Sequence, residues 1–228
     1  MNSGILYIVA TPIGNLEDIT FRAVKALEKA DLIFCEDTRV TKKLLDHYKI
    51  VAETRSFYGH GSKSRKPEPN FEYIISELKA GKNVAFVTDA GTPGISDPGN
   101  RLVAKAIENG IAVFPVSGAS ALTTLASISG IDLAKFMFLG FPPHKKGRET
   151  FFKEVAGFKY PVIYYESPHR LIKNLELLRS LSSEKNIILG RELTKMFEEV
   201  VRGTVSEVLD YFKDNEEKVR GEIAVIVY

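Results

Sequence analysis

Val84-Ala85-Phe86-Val87-Thr88-Asp89-Ala90-Gly91-Thr92-Pro93-Gly94-Ile95-Ser96-Asp97-Pro98-Gly99 is the stretch that decides the fold class. Its first five residues form an apolar, β-branched and aromatic run of strand length. The next eleven hold three glycines and two prolines, a composition that ends a strand and lets the backbone turn sharply. Beyond them Leu102, Val103, Ala106 and Ile107 recur at helical spacing. Strand, Gly/Pro turn and amphipathic helix together read as one βα unit.

The same order recurs on both sides. Apolar runs of strand length stand at 5–10, 32–35, 112–116, 136–140, 162–166, 187–190 and 223–228. Between them Ala23, Leu27 and Ala30 share one helical face, as do Leu171, Ile172, Leu175 and Leu178. This alternation predicts an α/β architecture with largely parallel sheets. Near Val116-Ser117-Gly118 the loops become more charged, and antiparallel pairing is expected around 200–204. We therefore expect two α/β domains, 1–115 and 116–228, meeting at a cleft, where ligand sites are common.

Composition narrows the class. The 228 residues are 44% hydrophobic and 26% charged, ordinary for a globular chain with substantial cores. No apolar run nears the roughly 18–20 residues that span a bilayer. The start Met1-Asn2-Ser3-Gly4 lacks the basic region of a signal peptide, so a cytoplasmic protein without a membrane partner is expected. Cys35 is the only cysteine, which excludes an internal disulfide. His47, His60, His144 and His169 are too scattered to predict a metal site. Dinucleotide, P-loop, zinc-protease and nucleophile-elbow motifs are all missing.

Four loops each follow a predicted strand, where open α/β sheets bind ligands. They begin at Thr11, Glu36, Asp89 and Ser117. The third, with its small residues and the acceptors Asp89 and Asp97, suits a flat heterocycle or an amino-acid moiety held by main-chain groups. Gly91 reads as backbone pressed against that ligand, so Gly91→Val should abolish binding and spare the fold. Residues 59–70, rich in Gly, Ser, Pro and basic side chains, read as a mobile loop.

TPIGNLEDIT from Thr11, CEDTR from Cys35, DAGTPGISDPG from Asp89, SGASAL from Ser117, YYESPHR from Tyr164 and RELTKMFEEVVRGT from Arg191 occur in this order. Together they resemble the small-subunit ribosomal RNA (cytidine-2'-O-)-methyltransferase family, a branch of the tetrapyrrole (corrin/porphyrin) methylase superfamily. The likeness spans essentially the whole chain. One departure is Ser117, where the family's fourth loop usually begins with proline.

The resemblance implies S-adenosyl-L-methionine as cofactor, folded between the two domains. It assigns contacts to Pro12, Ile13, Thr92, Ile95, Ser120 and Ala121, with Asp89, Ala90 and Gly91 around the donor. Tyr165 or Glu166 and the Arg220-Gly221-Glu222 region are implied on the adenine side. The implied substrate is a cytidine ribose in 16S ribosomal RNA, free or in the assembled small subunit, and the implied assembly is a homodimer. A ribose hydroxyl needs help in losing its proton. Glu36, Asp37, Glu166, Glu192 and Lys195 all remain candidates for that role.

Thirty-one Lys and Arg against twenty-nine Asp and Glu give only +2, so RNA must be met by local clusters. These are Lys63-Ser64-Arg65-Lys66, the Lys145, Lys146 and Arg148 segment, and His169-Arg170. Arg39 and Arg191 either reach a phosphate or pair with Glu36 and Glu192. Two other readings are a tetrapyrrole-methylating sibling and a non-catalytic RNA-binding or ribosome-assembly module.

Overall fold

A computed structural model describes residues 3–58 and 70–228. The basic cluster at 63–66, and all of the expected mobile loop except Asn70, lie outside the described residues. Cα packing divides the chain into two compact units, Met1–Ser120 and Ala121–Tyr228. The division falls five residues beyond the expected 115/116 boundary. The reason is local: Thr20 and Arg22 donate to Ser117, and Thr92 donates to the Ala119 carbonyl, which ties 117–120 to the first unit.

The first unit carries β1 (Ile5–Val9), β2 (Leu32–Cys35), β3 (Thr54–Ser56), β4 (Val84–Val87) and β5 (Ala112–Val116). All are parallel, in the order β3-β2-β4-β1-β5. Its helices are α1 (Phe21–Lys29), α2 (Thr38–His47), α3 (Phe71–Lys79) and α4 (Gly99–Glu108). Every residue of β2 and β4 is buried, as expected for strands covered on both faces.

Successive side chains of these strands serve opposite layers. Ile33, Cys35, Ala85 and Val87 pack with Leu27 of α1 and Leu44 and Leu45 of α2. Leu32, Phe34, Val84 and Phe86 pack with Ile74 and Leu78 of α3 and Leu102 of α4. Each large side chain so buried contributes about 1.5–3 kcal/mol. Strand β3 was not legible in the sequence. Thr54-Arg55-Ser56 has no apolar alternation and is held by its ladder to β2.

The second unit carries β6 (Met137–Phe138), β7 (Val162–Glu166), β8 (Asn186–Arg191), β9 (Glu199–Thr204) and β10 (Ile223–Val227). Its helices are α5 (Ala121–Ser127), α6 (Arg148–Gly157), α7 (Leu171–Leu181) and α8 (Val205–Asp214). The last three cover one face of the sheet with Phe152, Leu175, Leu178, Leu209 and Phe212. Thr204 and Glu207 close a capping box at the start of α8, where such a cap is worth about 1 kcal/mol.

The antiparallel pairing expected around 200–204 is present between β8 and β9, and it extends further, so the expectation of largely parallel sheets fails in this unit. In the order β6-β7-β10-β8-β9 only β6 and β7 pair in parallel. The link 192–198 is too short for the dozen or more residues of a parallel crossover, so β9 must run back along β8. The crossover through α8 then keeps β10 in the direction of β9, and β10 enters between β7 and β8 antiparallel to both.

Candidate functional site

Because the first sheet is all parallel, the loops after β1, β2, β4 and β5 leave from one edge. They are bonded to one another. Thr11 and Gly91 form an antiparallel bridge, and the Thr11 hydroxyl also donates to the Thr88 carbonyl at 3.1 Å. The Asp37 N–H donates to Asp89 Oδ1 at 3.0 Å, and the Asp89 N–H to Glu36 Oε2 at 3.5 Å. Thr92 Oγ1 donates to the Ala119 carbonyl at 3.0 Å. Within the third loop, Asp97 accepts from the Gly94 and Gly99 N–H groups at 2.6 and 2.7 Å.

Gly91 and Gly94 hold φ near +81° and +87°, the left-handed region that favours glycine. A Cβ on Gly91 would lie 3.3 Å from Ile13 Cγ2. Pro12, Ile13 and Gly91 are buried, Thr92 and Ser120 are half-buried, and Asp89, Ala90 and Ile95 are exposed. The loops are thus fixed from within and present Asp89-Ala90 and Ile95 outward. Ala121 opens α5.

Charge at this edge is uneven. Burial pushes the Glu36 carboxyl up, and the nearby charges of Asp89 and Asp97 add to it against one backbone N–H. Burial raises Asp89 as well, opposed by the Asp37 backbone N–H and helped by the Asp37 charge. Asp37 behaves oppositely. Hydrogen bonds from the Arg39 side chain, then from its backbone, hold it at about 2. Asp37 caps α2, and its partner is Arg39, at 2.6 Å. The expected Arg39–Glu36 pair is not formed, because the two-residue step from a cap into the first turn brings residue 39 back onto residue 37.

In the second unit the strand register gathers the remaining candidates at one sheet end. Glu166, Ile223, Arg191 and Glu199 lie in a row across β7, β10, β8 and β9. The Gly140 carbonyl accepts from the Tyr165 N–H at 2.9 Å, so the segment leading to Lys145, Lys146 and Arg148 departs from this end too. Lys145, Lys146 and His169 are exposed, and Arg148 is half-buried. Arg170 is turned inward, donating to the Pro142 carbonyl at 2.7 Å.

Glu166 is only 2% exposed. It accepts from Asn174 Nδ2 at 2.6 Å and from the Ser167 N–H at 2.7 Å. Burial nevertheless keeps its carboxyl raised. Glu192 and Lys195 pair at 2.9 Å, and Lys195 also reaches Glu222 Oε2 at 3.0 Å. Gly221 holds φ +81°, and Glu222 N–H donates back to Glu192 Oε1.

Arg191 pairs with Glu199 at 3.3 Å, not with Glu192, and is 5% exposed. In the ladder Arg191 stands opposite Glu199, whereas Glu192 has already left the strand. Sequence reasoning also missed Thr11 and Thr88 as the fasteners of the first loop. A threonine at each strand-to-turn junction, one beside a Gly-rich turn, was the available signal. Among the described residues no group of His, Cys, Asp or Glu is arranged to hold a metal ion.

This architecture defines a class. Solved methyltransferases share the fold: uroporphyrin-III-C-methyltransferase from Thermus thermophilus superposes with TM-score 0.67 at 16% identity, covering 98% of this chain and 94% of its own. A cobalt precorrin-4 methyltransferase gives the same TM-score at 18% identity, over 97% and 94%. The chain belongs to the Tetrapyrrole (Corrin/Porphyrin) Methylases, whose family model matches residues 5–209. Nearer relatives carry the name Ribosomal RNA small subunit methyltransferase I. The protein from Halalkalibacterium halodurans is 44% identical, over 99% of this chain and 76% of its own length. That from Thermotoga maritima is 43% identical, over 98% of both.

Proposed function

We propose that this chain is an S-adenosylmethionine-dependent methyltransferase that 2'-O-methylates a cytidine ribose in 16S (small-subunit) ribosomal RNA. One observation carries the reading. Relatives bearing the small-subunit rRNA methyltransferase name match across nearly the whole chain, so every segment that builds the bonded loop edge lies inside the likeness.

The loop edge fits the cofactor. A sulfonium with an ammonium group is cationic; burial and then the charges of Asp89 and Asp97 push the Glu36 carboxyl up, and burial and then the Asp37 charge push up Asp89. A cation beside them relieves that repulsion. Pro12, Ile13, Asp89, Ala90, Gly91, Thr92, Ile95 and Ser120 would hold it, through backbone groups and apolar contact. When bound, the cofactor supplies an activated methyl group. The loops orient it, and the chain removes the proton of the attacking hydroxyl.

Among the candidate bases, Glu36 is favoured. Asp37 is engaged by Arg39 and the α2 cap, Glu166 by Asn174 and Ser167, and Glu192 and Lys195 by each other. Among the described residues Glu36 accepts one long bond, from Asp89, and its raised carboxyl suits accepting a proton. Lys145, Lys146, Arg148 and His169 are read as the phosphate-contacting group. Arg39, 88% exposed along its side chain, is read as a separate phosphate contact on the first unit, while Arg170 and Arg191 hold structure.

A homodimer is part of this reading. β5 is an edge strand with Phe114 exposed, a surface that a second copy would cover. The place of action is then the cytoplasm, where small subunits assemble. No helix among the described residues is long and apolar enough to cross a membrane. The deciding experiment is methyl transfer to small ribosomal subunits, with the modified nucleotide mapped. Transfer to a porphyrinoid instead would establish the sibling activity. Failure to bind S-adenosylmethionine in calorimetry would leave only a binding module, and light scattering decides the dimer.

A further inference from the structure

We infer that Phe197, backed by Arg220, is a stacking platform for one unpaired base of the RNA target; this rests on the RNA-methyltransferase reading above. The platform sits on the β8–β9 link, residues 192–198. Glu192 and Thr194 hold φ of 51° and 66°, a left-handed conformation that non-glycine residues keep only when surroundings impose it.

The surroundings do so here. Glu192 N–H donates to the Glu222 carbonyl, and Glu222 N–H donates to Glu192 Oε1, each at 2.9 Å. Lys195 bridges both carboxylates, and Thr194 N–H donates to Glu198 Oε2 at 2.6 Å. Leu193 anchors the link in the core.

Three residues of this strained, pinned link face solvent: Met196, Phe197 and Glu198, whose carboxylate is held by the Thr194 N–H. Met196 is 90% exposed and Phe197 58% exposed, and the Arg220 guanidinium carbon lies 5.6 Å from the Phe197 ring centroid. Lys195 is already neutralised by two carboxylates, so the link does not serve phosphates. It offers a rigid aromatic face with a cation beside it, the surface on which unpaired bases stack. The sheet register puts it at the same end of the second unit as the Lys145, Lys146 and His169 segments. Phosphate contacts and base stacking thereby share one end of one sheet.

The chain has no tryptophan, so Phe197→Trp installs a single reporter. Its emission should be quenched by a cytidine-containing single-stranded oligoribonucleotide and much less by the same sequence as a duplex. With small ribosomal subunits as substrate, Phe197→Ala should raise KM about tenfold or more, Phe197→Tyr should restore it, and cofactor affinity by calorimetry should stay unchanged. Unquenched emission, or an unchanged KM in Phe197→Ala, overturns the inference. If Phe197→Ala instead dissociates a dimer with KM unchanged, the tip belongs to a second copy and the inference also falls. A wild type that methylates no small subunits would sink the enzyme reading separately, since the quenching titration does not depend on turnover.

Discussion

Thr11 and Gly91 exchange backbone hydrogen bonds in both directions, at 3.0 and 3.1 Å, and so fasten the loop after β1 to the loop after β4. This bridge changes what Gly91 means. Its φ of +81° and the nearby Ile13 methyl already require glycine with no ligand involved. Gly91→Val should therefore lower stability by roughly 1–2 kcal/mol or more, from the left-handed backbone alone, together with cofactor affinity. Urea unfolding and calorimetry on this variant and on Gly91→Ala measure both. Full stability with abolished affinity would return the residue to the ligand-facing role that its place in the sequence suggests.

Glu36 makes a pH prediction. Its carboxyl titrates above the ordinary value of about 4.3 because of burial, then the charges of Asp89 and Asp97. An acid raised in the folded state binds more protons there than in the unfolded chain. Stability should thus fall as pH rises from about 4.3 through the raised value, then level off. Glu36→Gln should remove that slope. As the base, Glu36 should also make the methyl-transfer rate rise with pH over the same titration, and Glu36→Gln should cut kcat by about 10²–10⁴-fold. A pH–rate profile identical in the variant would transfer the role elsewhere.

The basic segment makes a salt prediction. With a net charge of only +2, RNA affinity must depend on local cations. Neutralising Lys145, Lys146 and Arg148 together should weaken RNA binding. For every phosphate left without its cation, the slope of log affinity against log salt should flatten by about 0.7–0.9. The exposed Lys145 and Lys146 should contribute more than the half-buried Arg148. Coincident salt titrations of wild type and triple variant would show a merely solvated face.

Arg191 should affect folding before RNA. Its pair with Glu199 is joined by Lys218, at 2.8 Å, and by the Tyr211 hydroxyl. Burial alone would raise the Glu199 carboxyl, but these partners hold it below its usual value. Arg191→Met leaves Lys218 and Tyr211 on Glu199, so no bare carboxylate remains and the expected loss is about 1.5–3 kcal/mol, below that of a buried pair whose partner is left uncompensated. Chemical denaturation tests the loss. An RNA affinity that drops while stability is untouched would make Arg191 a phosphate ligand after all.

The sequence alone carried the βα repeats, the buried strands and the loops that hold chemistry. Those features are local: Val84-Ala85-Phe86-Val87 is apolar enough to be covered on both faces, and the glycines at 91 and 94 can only follow as a turn. It also marked Glu36, Asp89 and the Lys145–Lys146 pair, because residue type and position after a strand are written in one dimension. The fold settled which residues pair. Asp37 took Arg39 because a helix cap folds the first turn back on itself, and Arg191 took Glu199 because the ladder sets them opposite. It also decided that β10 enters the second sheet antiparallel to both neighbours, which brings Gly221 and Glu222 against Glu192. Residues far apart in the chain met there through strand order, and strand order is a property of packing the whole sheet.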